Sequence, residues 1–138
     1  MTLSAADITR LIREGVPGSA DTGFLVERIE GQSVHCRNIY RPSQLRPGGT
    51  LSGPTLMGLA DAAMYAVILA NLGPLEMAVT QNLNINFLRK PAPRDLLAVA
   101  SPLKIGRRSV ALEVRIYSEG DDALVAHVTG SYALPHIA

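Results

Sequence analysis

The sequence predicts an α+β domain in which an antiparallel sheet folds around one apolar helix. Three observations carry this. The run from Pro54 to Leu72 holds a single charged side chain, Asp61, and stops at Gly73-Pro74. Beyond it the hydrophobic period changes from helical to two, as in Asn82, Asn84 and Asn86 against Leu83, Ile85 and Phe87. The order of segments is helix, two strands, long helix, four strands, without repeat, low-complexity segment or linker, and 138 residues suit one domain with a real core.

Each element has its own signal. Ser4 can cap a first helix through about Glu14, with Leu3, Ile8, Leu11 and Ile12 giving a partial apolar face, and Gly15-Val-Pro-Gly18 ends it. Phe24 to Glu30 alternates as a strand, and Gly31-Gln32 turns it into a hairpin partner, Ser33 to Tyr40. Arg41 to Gly49 is rich in Pro and Gly and reads as a loop. Ser52 is a suitable N-cap for the long helix, and Pro54 fits its first turn, where a missing N–H is harmless. Four strands follow: Ala78 to Leu88, Leu96 to Ile105, Val110 to Tyr117, and Leu124 to Leu134. Pro102 requires a bulge or a free edge in the second of these. The whole chain reads as one domain, with residues 1–21 as a helical extension.

Composition excludes several classes. The net charge is +1 with His neutral, Trp is absent and aromatics make up 4% of the chain, which gives neither an electrostatic nor a stacking footprint for nucleic acid. The single cysteine, Cys36, rules out an internal disulfide and fits a reducing cytoplasm. The first fifteen residues mix charges early and lack an apolar secretory core. Pro54 to Leu72 could almost span a bilayer by length, but Asp61 at its centre argues for a buried helix of a soluble protein.

That carboxylate is the main chemical clue. A lone buried acid is costly, so it is either a structural residue with hydrogen-bond partners or a functional one. Glycines in Gly48-Gly49-Thr50-Leu51-Ser52-Gly53-Pro54 let a ligand approach the backbone, and first-turn N–H groups lack intrahelical partners, so they can hold a developing negative charge. Asp61 lies about 12 Å further along the axis than Gly53 at helical rise. A substrate must then lie along the helix, or the two groups must come from different subunits.

The pattern Gly-x-x-x-Gly-x-x-x-x-x-Leu-Ala-Asp leading into a small, apolar helix resembles the hotdog-fold thioesterases of the phenylacetyl-CoA thioesterase (PaaI) type. Asn84-Ile85-Asn86-Phe87-Leu88-Arg89-Lys90-Pro91, Lys104-Ile105-Gly106-Arg107-Arg108 and Val125-Ala126-His127-Val128-Thr129-Gly130 extend the resemblance over roughly residues 22–134. It implies a hotdog domain that hydrolyses an acyl-CoA thioester without a cofactor, CoA arriving as part of the substrate. Gly53 matches the glycine whose N–H polarises the carbonyl. Asp61 matches the acid that activates water or attacks the carbonyl. Thr80 matches the Ser/Thr that positions water or carboxylate. The resemblance also implies a site shared between two subunits, in a homodimer that doubles to a homotetramer; the strand Ala78 to Leu88 is expected to pair with its copy in the second subunit, since an uncovered edge of that length invites pairing. Two positions depart from the family: Ser52 stands where a His is usual, and Arg46 where an Asn is. Arg46 is expected to pair with Asp61.

Other signals weigh less. The Gly-x-x-Ser-Gly spacing around Ser52 does not match a serine-hydrolase elbow, so capping is its better role. His35, His127 and His136 are isolated, and no metal site is expected. Arg89-Lys90 and Arg107-Arg108 are either solvated turn residues or a clamp for the phosphates of CoA. Tyr65, one turn after Asp61, either lines the acyl pocket or belongs to the core. The acyl group is expected to be hydrophobic, aromatic or medium-chain. The alternatives are a catalytically silent hotdog protein that binds acyl-CoA or a related ligand, and a hydratase or dehydratase. The latter usually has a His near the Asp, and none follows Asp61 until His127.

Overall fold

The computed structural model describes residues 2–16, 18–19, 23–75 and 77–135. The turn expected at Gly15–Gly18 contains Pro17, which lies outside that set, as does His136. Helix α1 spans Ala5–Gly15 and opens with a full capping box, the Ser4 side chain taking the Asp7 N–H and the Asp7 side chain taking the Ser4 N–H. Strands β1 (Phe24–Glu30) and β2 (Ser33–Asn38) form the hairpin. A short ribbon follows, β3 (Leu45–Arg46) inside the Arg41–Gly49 segment expected to be a loop and β4 (Thr50–Leu51) just beyond it. Helix α2 spans Gly53–Leu72, and strands β5 (Val79–Phe87), β6 (Leu96–Ile105), β7 (Ser109–Ser118) and β8 (Leu124–Ala133) complete the chain.

Six strands form one antiparallel sheet in the order β1-β2-β6-β7-β8-β5. Alternate residues of each strand turn inward. Ala98, Ala100, Val110, Leu112, Val114, Ile116, Ala126 and Val128 are buried, and they close over Ala60, Ala63, Met64, Val67 and Ile68 of α2. Helix α2 is long and apolar enough to cross a membrane by length and composition. Its apolar side chains are instead buried against the sheet, which removes them from water at about 25 cal/mol per Å².

Bulges reconcile the local patterns with the sheet. In β1 the register shifts between Val26 and Arg28. That shift lets Phe24 and Val26 face inward at one end and Ile29 at the other, which strict alternation would forbid. In β6 the register with β7 shifts between Pro102 and Lys104, and β2 pairs only as far as Ala100. Pro102 therefore sits both at a bulge and where β6 overhangs its other neighbour, satisfying the two conditions its missing N–H imposes.

The two edges of the sheet are treated differently. Helix α1 covers β1: Ile8 and Ile12 are fully buried, the Arg13 Nε donates to the Phe24 carbonyl (2.7 Å), and the Val26 N–H donates to Thr9 Oγ1 (2.9 Å). Strand β5 pairs only with β8, and its other edge is uncovered among the described residues.

Candidate active site

The entry to α2 is fixed before the helix begins. Asn38 and Gln44 are buried and exchange reciprocal amide hydrogen bonds of 3.0 and 3.2 Å. The Gln44 carbonyl then accepts the Ser52 N–H (2.9 Å). Ser52 caps the helix, its Oγ lying 3.4 Å from the Thr55 N–H and 2.8 Å from Thr55 Oγ1. Its hydroxyl is thus engaged in capping, and no histidine is hydrogen-bonded to it among the described residues. The Gly53 N–H, one residue inside the cap, donates to no described residue. It opens on a cleft of about 620 Å³ whose walls include Arg46, Phe87, Arg89 and Lys90. Thr50 Oγ1 donates to the Pro91 carbonyl (3.0 Å) and ties the two sides of that cleft together. The arrangement is a helix N-terminus with a free donor, flanked by three cations, which suits an oxygen that gains negative charge and a ligand rich in phosphate.

Asp61 lies on a different wall. It is half-buried in the third turn of α2, and its Oδ1 accepts two hydroxyl donors, Thr80 Oγ1 at 2.5 Å and Tyr132 Oη at 2.9 Å. The Arg46–Asp61 pair expected from the sequence does not form within the protomer. Arg46 sits on the β3 ribbon at the cleft, while Asp61 is two turns into the helix and is held by neutral hydroxyls. Asp61 instead lines a groove of about 290 Å³ along α2, with Pro54, Thr55, Gly58 and Ala62. Tyr65 is half-buried and stacks on Tyr132, ring centroids 6.0 Å apart and planes 8° apart. Both tyrosines line a cavity of about 530 Å³ with Thr80, Val79 and Met77.

The structure therefore gathers Arg46, Ser52, Gly53, Arg89 and Lys90 at one place and Asp61, Tyr65 and Thr80 at another. Arg107 and Arg108 join neither within the protomer. They occupy the β6–β7 turn at the Val79 end of the sheet, as the pairings Val79↔Ala133 and Ser109↔Ala133 require, whereas Arg89 and Lys90 follow Phe87 at the other end. His35 and His127 pair with Glu30 (3.2 Å) and Glu113 (2.7 Å), the structural alternative for isolated histidines. Burial pushes the Cys36 thiol far up, away from the thiolate range. No group of three or more His, Cys, Asp or Glu residues that could hold a metal occurs among the described residues. Sequence reasoning missed Tyr132; its only trace is its place on the inward phase of β8, shared with Ala126, Val128 and Gly130.

An antiparallel sheet wrapped around one apolar helix, with a free N–H at the helix N-terminus and a lone helical carboxylate, is the arrangement of the hotdog thioesterases as a class. Residues 48–125 match the model of the thioesterase superfamily, and the chain belongs to that family. A protein from a Silicibacter species, provisionally named a thioesterase, is 36% identical over 97% of this chain and 93% of its own, with a TM-score of 0.87. A point-mutant form of the phenylacetic acid degradation protein PaaI from Thermus thermophilus is 26% identical over 86% of this chain and 99% of its own, with a TM-score of 0.74. The E. coli PaaI protein is similar in fold, with a TM-score of 0.82 at 19% identity over 96% of this chain and 94% of its own. Comparison with curated protein sequences gives no match. The protein is a thioester hydrolase of the PaaI type.

Proposed function

We propose that the protein hydrolyses a hydrophobic acyl-CoA, aromatic or medium-chain, to the free acid and CoA at a site built by two protomers. The observation that carries this is the placement of the two half-sites at opposite ends of one uncovered strand. Gly53 lies against the Phe87 end of β5, where a Cβ would meet the Phe87 ring at 3.5 Å, and Asp61 is bonded to Thr80 at the Val79 end. A two-fold axis that pairs β5 antiparallel with its copy places the Asp61 end of one protomer beside the Gly53 end of the next. The same operation carries Arg107 and Arg108 toward the partner's cleft end. Val79 and Phe87 are 58% and 54% exposed in the isolated chain, the apolar surface such pairing covers.

In this site the Gly53 N–H and the positive end of α2 stabilise the carbonyl oxygen as it becomes an oxyanion. Asp61 takes a proton from water, whose oxygen bonds to the carbonyl carbon. Collapse breaks the C–S bond, and the sulfur leaves with that proton as the CoA thiol. Direct attack by the carboxylate gives the same products through an anhydride that water then opens. Arg46, Arg89 and Lys90 hold the phosphates, and Tyr65 lines the acyl side. No cofactor takes part. The protein works as a cytoplasmic homodimer, doubled to a homotetramer.

The test is Asp61→Asn against the parent over a panel of acyl-CoA thioesters, read by a thiol-detecting dye. Lost thiol release at an unchanged melting temperature is expected. Parent-like turnover by the variant would rule out the proposed chemistry.

A further inference from the structure

Tyr132 carries no motif, yet it reaches the one carboxylate of α2. The residue is 4% exposed and its ring is stacked on Tyr65, so its hydroxyl is held in place by packing. Thr80 and Tyr132 are direct partners across the β5–β8 ladder, which is why two hydroxyls from different strands converge on one atom, Asp61 Oδ1. The Tyr132 hydroxyl also lies 3.1 Å from the Asp61 backbone oxygen. The other carboxylate oxygen, Oδ2, has no described hydrogen-bond partner. Since no described buried side-chain polar atom lacks a partner, Oδ2 is open to solvent.

We propose that Tyr132 is a positioning residue which, with Thr80, ties down Oδ1 so that Oδ2 is the atom Asp61 presents to the reaction. The inference rests on the reactive role of Asp61 given above, and it holds whether Oδ2 takes a proton from water or bonds to the carbonyl carbon. A carboxylate on a helix turns about a soft terminal torsion with two equivalent settings. Two donors on one oxygen remove that freedom and make the oxygens unequal. A donor fixed by a buried, stacked ring gives this orientation at little further entropic cost. Burial, reinforced by the Asp61 charge, pushes the Tyr132 phenol far up, so it remains a donor wherever the enzyme works. A water or carbonyl carbon approaching from the open side then meets one defined lone pair.

The experiment compares Tyr132→Phe, Thr80→Val, Asp61→Asn and the Asp61→Asn/Tyr132→Phe pair in thiol release from the same acyl-CoA panel, each assayed well below its melting midpoint. Phe keeps the ring and its stack on Tyr65. The expected result is a fall in kcat of about tenfold to a hundredfold for Tyr132→Phe with KM little changed, the size of a lost hydrogen bond to a charged group. In the Asp61→Asn background the same change is expected to have no further effect, because the group it orients is gone. Parent kcat in Tyr132→Phe while Asp61→Asn is inactive would overturn the proposal and leave the Asp61 chemistry standing. An equal further loss in both backgrounds would also overturn it, since Tyr132 would then act independently of Asp61. Parent turnover in Asp61→Asn would remove both readings together. Should Tyr132→Phe lose its fold, Thr80→Val probes the same oxygen from the exposed strand: lowered kcat at unchanged KM sustains the proposal, and parent kcat overturns it.

Discussion

Replacing Gly53 with alanine adds one methyl at the first residue of α2, and the structure fixes what that methyl meets. A Cβ there would lie 3.5 Å from Phe87 Cζ and 3.8 Å from Cε1, with nothing else nearby and no left-handed backbone to forbid it. These are ordinary contacts, so the folded state accepts alanine without strain. Alanine also costs less backbone entropy than glycine, which is worth about 0.4–1 kcal/mol at a compatible site. For a chain of this length the melting temperature should stay level or rise by about 1–4 °C. Activity should move the other way. The methyl fills the gap between the helix N-terminus and the Phe87 ring, the space a carbonyl oxygen needs to reach the free Gly53 N–H. Loss of one such donor lowers kcat by about 100- to 1,000-fold. The assay pairs thermal unfolding by circular dichroism, since Trp is absent, with thiol release from an acyl-CoA. Parent-like kcat/KM in a variant that melts normally would refute the reasoning, because the carbonyl would then be polarised elsewhere.

Two further outcomes follow from the packing. At Gly130 a Cβ would lie 2.6 Å from the Asn82 carbonyl oxygen and 2.8 Å from Met64 Sδ. Gly130→Ala should therefore destabilise the fold by about 1–3 kcal/mol in denaturant titration, in contrast to Gly53→Ala; an unchanged midpoint would show that β5 and α2 can part freely. The hydrogen bond from His127 is the main influence holding the Glu113 carboxyl below its ordinary value, against the opposing pull of burial and with help from Arg115. A carboxyl depressed in the folded state stabilises above its unfolded value and loses that contribution as pH falls through the folded one. Glu113→Gln should thus lower stability by roughly 0.5–1 kcal/mol at pH 6, with the difference closing below the ordinary carboxyl range near 4.5; a difference that widens in acid would contradict the sign.

Much of the fold was legible because local signals and burial agree. Ser52, Pro54 and Gly73 bound α2 within a residue of where it lies, and Gly73 takes a positive φ of 87°, a conformation that favours glycine. The alternation of β5 gives its strand, and the expectation that this strand pairs with its own copy requires the sheet edge it occupies, although period two by itself reports a wet and a dry face and says nothing of neighbours. The β3–β4 ribbon went unread because two-residue strands carry no period. In the site, Asp61 was visible as a charge without company and Gly53 as a glycine at a helix entry. The Arg46–Asp61 pair does not form within the protomer because nearness in sequence to a helix N-terminus does not bring a side chain two turns along it.

The sequence alone determined the apolar helix, its caps, the strands that enclose it and the one carboxylate that burial makes expensive, because these follow from side-chain chemistry at fixed local spacing. Only the tertiary structure decided that one oxygen of Asp61 is held by Thr80 and Tyr132 together and that the Gly53 N–H opens on a different wall. Those facts depend on which strands pair and in what register. Thr80 and Tyr132 meet across more than fifty residues of chain, and contacts at that range are set by the closing of the sheet around the helix rather than by any local preference.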